Sequence, residues 1–246
     1  MEEVELFKNG KRYDGRKIEE LRSVKIQAHV LNDADGSAYL EWGNNKIIVG
    51  VYGPKECIPR HLANPYGAVI KCIYNMSPFS SLGEHGRSGP SRRSRELSMV
   101  IGQVFENLIE KDKFPRASIE IFVDVLQGDG GTRCAAVTAA SVALADAGIP
   151  MKDMVAAIAV GKVKDNVVID LDYIEDSQGQ ADCAIAFSNR NKDILLLQME
   201  GEMSKDDIKK AFELALIAEE KLHQLQVDAL KEVYISVKEE DTFVDM

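Results

Sequence analysis

The chain has 246 residues, 45% of them hydrophobic and 28% charged, enough apolar content for a sizeable buried core, which excludes a disordered polyelectrolyte. A formal net charge of -10 argues against a freestanding nucleic-acid binder, because phosphate backbones reward a basic surface through counterion release. The basic residues are unevenly placed, however: GRSGPSRRSRE sets Arg87, Arg92, Arg93 and Arg95 within nine positions, so local sign opposes global sign.

The first segment, MEEVELFKNGKRYDGRK, is charged and lacks a signal-peptide apolar stretch, and no run in the chain approaches the length of a membrane span. The expectation is a soluble, cytoplasmic protein with no membrane partner, whose first 15 or so residues are solvated. GSAYLEWG and NKIIVGVYG then read as strands joined by a hairpin turn from Gly43 to Asn45, and AVIKCIYNM as a third. A polar, glycine-bearing loop from about Ser77 to Ser91 delivers the arginines to the start of a helix with Leu97, Val100, Ile101, Val104 and Leu108 at helical spacing. ASIEIFVDVLQ alternates as a strand and leads through QGDGGTR into an alanine-rich helix that Gly148 and Pro150 stop. Four strand-like runs follow, VAAIAVGKV, NVVIDLDYI, ADCAIAFS and DILLLQMEG. A terminal helix starts at Ser204, reciprocally capped with Asp207, and continues toward Tyr234 before a tail that frays from about residue 236. Interspersed strands and helices with hairpins, no linker and no short repeat predict one α/β (α+β) domain over residues 1–246, with antiparallel pairing. Cys57, Cys72, Cys134 and Cys183 form no CxxC pair and read as reduced, mostly buried thiols.

Three constellations could carry chemistry. In QGDGGTR, Gly128, Gly130 and Gly131 permit close approach of backbone to a ligand. The helix beginning near Thr132 offers unpaired N–H groups and a positive dipole end, and Arg133 adds a bidentate phosphate donor. Neither a Walker loop nor GxGxxG is present, and the same glycines would serve a plain strand-to-helix turn. In DLDYIEDSQGQAD, two strands joined around SQGQ would bring Asp176 and Asp182 together, raising one carboxyl's pKa for general-acid work or preparing a divalent-cation site. Alternatively, Asp170, Asp172, Glu175, Asp176 and Asp182 are turn formers on a solvated face. The arginine cluster is either a solvated helix start partnered by Glu96 or a polyanion site, and cations at a helix N-terminus favour the second. His29, His61, His85 and His223 share no metal spacing, and no GxSxG nucleophile is present.

Taken together, RRSRELSMVIG, VDVLQGDGGTRCAAVTAASVALADAGIP and DLDYIEDSQGQAD resemble the ribonuclease PH family, from about Gly10 to Tyr234. VYGPKE, YNMSPFS, LADAGIPM and LLLQMEG are similar to its catalytic archaeal exosome members. The resemblance implies a fold of two similar βαβ-type halves around a shared core. It assigns inorganic phosphate, a co-substrate, to Gly130, Thr132 and Arg133, and RNA to Arg92 and Arg93, with Arg60 matching more loosely a position that contacts RNA farther upstream. Asp176 matches the catalytic aspartate and Asp182 the second acidic position, either tuning Asp176 or helping to hold Mg2+. The implied reaction is 3'-to-5' phosphorolysis of single-stranded RNA, reversible as RNA tailing. It takes place in a hexameric ring of three heterodimers with an inactive paralogue, under a cap of S1 or KH subunits. A homohexameric ribonuclease PH that trims tRNA 3' ends, a non-catalytic RNA-binding ring subunit and a small-molecule phosphotransferase are the competing readings.

Overall fold

The computed structural model describes residues 5–8, 10–81 and 91–244, excluding the side chains of residue 8 and residues 236–244. Arg87 and the middle of the 77–91 loop lie outside the described residues. A short hairpin of β1 (Phe7–Lys8) and β2 (Lys11–Arg12) comes first. A five-stranded sheet follows, in the order β3 (Val24–Ala28), β4 (Gly36–Trp42), β5 (Asn45–Glu56), β7 (Ala117–Gln127) and β6 (Val69–Met76). A four-stranded sheet has the order β11 (Ile194–Gly201), β10 (Ala181–Ser188), β8 (Val155–Val163) and β9 (Asn166–Ile169).

Helix α2 (Thr132–Asp146) packs on β4 and β5 of the first sheet and on β8 of the second, so one core serves both halves. Its composition explains this position: Ala135, Ala136, Ala139, Ala140 and Ala143 keep it narrow, and buried Leu144 and Val142 fill the remaining space. Two of its three buried hydroxyls are satisfied by β8, whose amides at Val155 and Ala157 donate to Ser141 and Thr138, both at 3.1 Å. Helix α1 (Arg92–Leu108) crosses from β6 to β7 and buries Leu97, Ile101, Val104 and Leu108, four of the five apolar positions read from its spacing. It makes β6–β7 the one parallel pair among the described strands, whereas the hairpins had suggested antiparallel pairing. The hairpin turn falls at Gly43 and Asn44, with Trp42 opposite Asn45. The reciprocal Ser204–Asp207 cap is present, 3.1 Å in each direction.

Five local readings are corrected. The N-terminal segment is not solvated throughout, since Leu6 and Arg12 are 4% and 2% exposed. Strand β3 went unread because VKIQA buries only Ile26. NVVIDLDYI is not one strand: β9 ends at Ile169, Asp170 takes φ 54°, and Asp172 caps the short helix α3 (Tyr173–Gln178). Because β8 lies between β9 and β10, the two acidic runs are not a hairpin. Finally, α4 (Lys205–Val244) runs ten residues beyond Tyr234, since neither glycine nor proline interrupts that stretch.

Candidate active site

Strand β7 ends at Gln127 and α2 starts at Thr132, so the chain must turn within four residues. Gly130 and Gly131 do this in the left-handed region, at φ 70° and 69°. At Gly130 the requirement is also steric, because a Cβ there would lie 2.4 Å from the backbone carbonyl carbon of Asp172. Gly131 begins α2 without a side-chain cap, which leaves the first helical N–H groups to a ligand. Arg133 carries a buried Nε with no hydrogen-bond partner. The Tyr74 hydroxyl, on β6, donates to Thr132 Oγ1 at 3.0 Å, so the Thr132 proton is free to point elsewhere. Burial and the polarity of this wall together suit an anion.

Across a cavity of about 190 Å3 lined by Met76, Arg93, Gly130, Thr132, Tyr173 and Asp176 stands the acidic side of the site. Helix α3 carries Asp176, and Asp182 follows on β10, opposite Glu200 of β11. Burial raises the Asp182 pKa to about 6; the charges of Asp176 and Glu200 add to the rise, and Arg133 and Arg93 oppose it. Asp176 is raised for the same first reason, with Arg93 and Arg133 pulling it down and Glu200 and Asp172 pushing it up. The two carboxyls therefore sense each other and two arginines, although α3 and not a hairpin turn brings them together. Among the described residues, no group of three or more His, Cys, Asp or Glu side chains is arranged to hold a metal ion.

The remaining candidates separate. Arg93, exposed at the start of α1, lines the cavity, while Arg92 is exposed beside it and is not on the cavity wall among the described residues. Arg60 pairs with Glu56 at 2.8 Å. That places it at the far end of the sheet, since Glu56 is opposite Ala117 and the anion loop follows Gln127. The length of β7 between those ends is roughly 30 Å. Glu96, the expected partner of the arginines, instead accepts from Gln198 on β11 at 2.8 Å.

Sequence reading missed the support beneath this site. Asp170, Asp172 and Glu175 are buried and held, not solvated. The Arg12 guanidinium grips both Glu175 oxygens, with Nε at 2.7 Å from one of them, and Nη1 donates to the Ile169 carbonyl at 2.7 Å. The Tyr13 hydroxyl donates to Asp172, and its own pKa is pushed up by burial and by that carboxylate. The signal was present as RYDGR, read only as a charged N-terminus.

The uncapped helix start facing an acid pair, on two sheets that share a helix, is an arrangement suited to an anion, and comparison with known proteins identifies the family. Residues 20–150 match domain 1 of the 3' exoribonuclease family and residues 153–218 match its domain 2, so the chain belongs to that family. It is 50% identical over 232 residues to the exosome complex component Rrp41 of Thermococcus onnurineus, covering 94% of this chain and 93% of that protein. With Rrp41 of Archaeoglobus fulgidus it is 50% identical over 238 residues, 96% of this chain and 92% of the other. A crystal structure of rice (Oryza sativa) Rrp46 superposes with a TM-score of 0.80 at 25% identity, covering 89% of this chain and all of that one. A chain of the A. fulgidus exosome with RNA bound to the active site has a TM-score of 0.76 at 22% identity, over 88% of this chain and 92% of that chain, and shares the fold. Among the described residues no helix is long and apolar enough to cross a membrane.

Proposed function

We propose that this chain is the catalytic ring subunit of an archaeal exosome, a phosphate-dependent 3'-to-5' exoribonuclease that releases nucleoside diphosphates from single-stranded RNA. The observation that carries this reading is the meeting of the uncapped α2 start and Arg93 with Asp176 around one cavity, with Arg133 and Asp182 close enough to act electrostatically on the same acid pair. Half-identity to archaeal Rrp41 proteins along nearly the whole chain supports the exosome assignment over a homohexameric ribonuclease PH. A scaffold subunit has no use for both the cradle and the acid pair on one chain.

In this mechanism Gly130, Thr132, Arg133 and the α2 amides hold inorganic phosphate, and Arg93, with Arg92 beside it, holds the phosphates of the RNA 3' end. A phosphate oxygen attacks the terminal phosphorus, the bond from phosphorus to the 3' oxygen breaks, and Asp176 delivers the proton that the leaving oxygen needs. Charge gathers on the phosphoryl oxygens, so the arginines and the helix dipole act mainly by positioning and electrostatic stabilisation. Asp182 raises the proton affinity of the pair. Running the same steps backward extends RNA from nucleoside diphosphates.

Mg2+ usually takes one or two carboxylates together with phosphate oxygens and water, which fits Asp176 and Asp182; when bound, it would neutralise charge on the phosphates. Arg60, about a sheet length away, would meet RNA farther upstream. The working assembly is a hexameric ring of three heterodimers with an inactive paralogue, capped by S1 or KH subunits, in the cytoplasm. The ring accounts for the net charge of -10, since only the RNA channel needs to be basic.

The test uses 5'-labelled oligo(A) and Mg2+, with the chain alone and with its paralogue, with and without phosphate. Release of ADP only when phosphate is present supports the reading. Release of AMP without phosphate sinks it, and no product from either preparation favours a scaffold.

A further inference from the structure

The cradle and the acid belong to different sheets, yet Gly130 touches the Asp172 backbone, so their spacing must be fixed by something. The Asp129 carboxylate of the loop accepts from the Tyr173 amide of α3 at 3.3 Å, and a side chain from outside both segments also reaches each of them. Arg22, in the loop before β3, donates through Nη1 to the Asp129 carbonyl, and through Nη2 to the carbonyls of Gly130 at 3.3 Å and Leu171 at 3.2 Å. The same guanidinium grips Asp170 Oδ1, with Nε at 3.1 Å and Nη2 at 2.7 Å. Asp170 is 1% exposed and also accepts from the Trp42 indole at 2.9 Å and the Arg22 amide at 2.6 Å. It holds a left-handed conformation immediately before Leu171 and the Asp172 cap of α3. Asn45 is a second hold, but on the loop alone: its side chain accepts from the Asp129 amide at 2.6 Å and donates to the Gly130 carbonyl at 2.7 Å.

We infer that Arg22, clamped by Asp170, is a positioning residue that sets the distance between the phosphate cradle and the acid-bearing helix α3. The inference rests on the proposed phosphorolytic reading of the same site. A five-donor planar fork is needed, because four carbonyl and carboxylate acceptors surround it in one place; an ammonium cannot span them.

Steady-state phosphorolysis by the full chain with its paralogue, with phosphate and RNA varied separately, tests it. For Arg22→Lys, which keeps the charge, the KM for phosphate should rise about 10-fold and kcat at saturating phosphate should fall about 10-fold, with the KM for RNA unchanged. Asn45→Ala should raise the KM for phosphate alike but leave kcat within about 2-fold, since it frees only the loop. A purely structural role would lower kcat of Arg22→Lys in proportion to unfolded chain with the KM for phosphate unmoved, and that result overturns the inference. So does wild-type behaviour of Arg22→Lys in an enzyme that is phosphorolytic. If Arg22→Lys does not fold, Asp170→Asn, which keeps the shape and one oxygen facing Arg22, should show the same split; failure of both to fold assigns the pair to stability alone. Phosphate-independent turnover by the wild-type protein removes the function reading and this inference together.

Discussion

At Asp182, burial and the charges of Asp176 and Glu200 lift the carboxyl from 3.8 to about 6, against the pull of Arg133 and Arg93. Between those two values the native chain holds a proton that the unfolded chain has released, so stability falls as pH rises through that window and stays lower above it. Removing the charge should therefore stabilise: Asp182→Asn is expected to be ~1–2 kcal/mol more stable at pH 7.5, a value reduced for partial exposure, with the gain gone below about pH 4. Urea unfolding across pH in metal-free buffer measures this, and an equal effect at every pH would mean the side chain is not titrating there. Asp176 differs in kind, because it stands on the open wall of the cavity, where its carboxyl is only partly desolvated. Asp176→Asn should leave the fold and phosphate binding intact while lowering kcat about 10²–10⁴-fold, the usual worth of a general acid. Retained turnover in a folded Asp176→Asn protein would count against its role.

At the level of elements, the proposed cradle depends on a loop from one sheet lying against the cap of α3 from the other. Gly130 and Gly131 have nearly the same φ but different surroundings: a Cβ at Gly131 meets nothing nearer than 3.5 Å, whereas at Gly130 it meets backbone at 2.4 Å. Gly131→Ala should thus cost only about 1 kcal/mol of left-handed strain. Gly130→Ala must push the loop off α3, and is expected to cost a few kcal/mol and abolish phosphate binding; thermal melts with and without phosphate separate the two, and equal losses would refute the contact. The turn from β7 into α2 could be read in sequence, because glycines clustered between an alternating run and an alanine-rich one mark a tight strand-to-helix junction. Strands β4, β5 and β7 were equally legible, since β4 and β5 form a hairpin and β7 alternates, while β6 shows as a short, mostly apolar run. Helix α3 was not, because IDLDYI looks like strand continuation until Arg12, about 160 positions away in sequence, is seen gripping Glu175. Buried charge held by distant partners leaves no local period to find. Breaking that pair from one side, as in Arg12→Met, should destabilise by about 3 kcal/mol, because buried Glu175 would lose both hydrogen bonds from the guanidinium and keep only Arg16, 3.5 Å away, as counter-ion.

For the whole molecule, the open question of shape is what covers its sheet edges. Among the described strands β11 pairs on one side only, with β10, and Leu197 and Met199 stand on one face of it, 55% and 44% exposed. An edge strand with uncovered apolar side chains invites association. In the proposed ring the occupant is the neighbouring subunit, and its arrival would bury this strand next to Glu200, the residue opposite Asp182. Leu197→Lys tests that placement with little risk to the fold, because an exposed position on an edge strand tolerates charge within about 0.5 kcal/mol. The variant should melt like the wild type, fail to co-elute with the paralogue in size-exclusion chromatography, and lose the paralogue-dependent part of ADP release. If Leu197→Lys instead forms the same complex with the same activity, the ring contact lies elsewhere on the chain, and the exposed β11 edge has no part in assembling the active site.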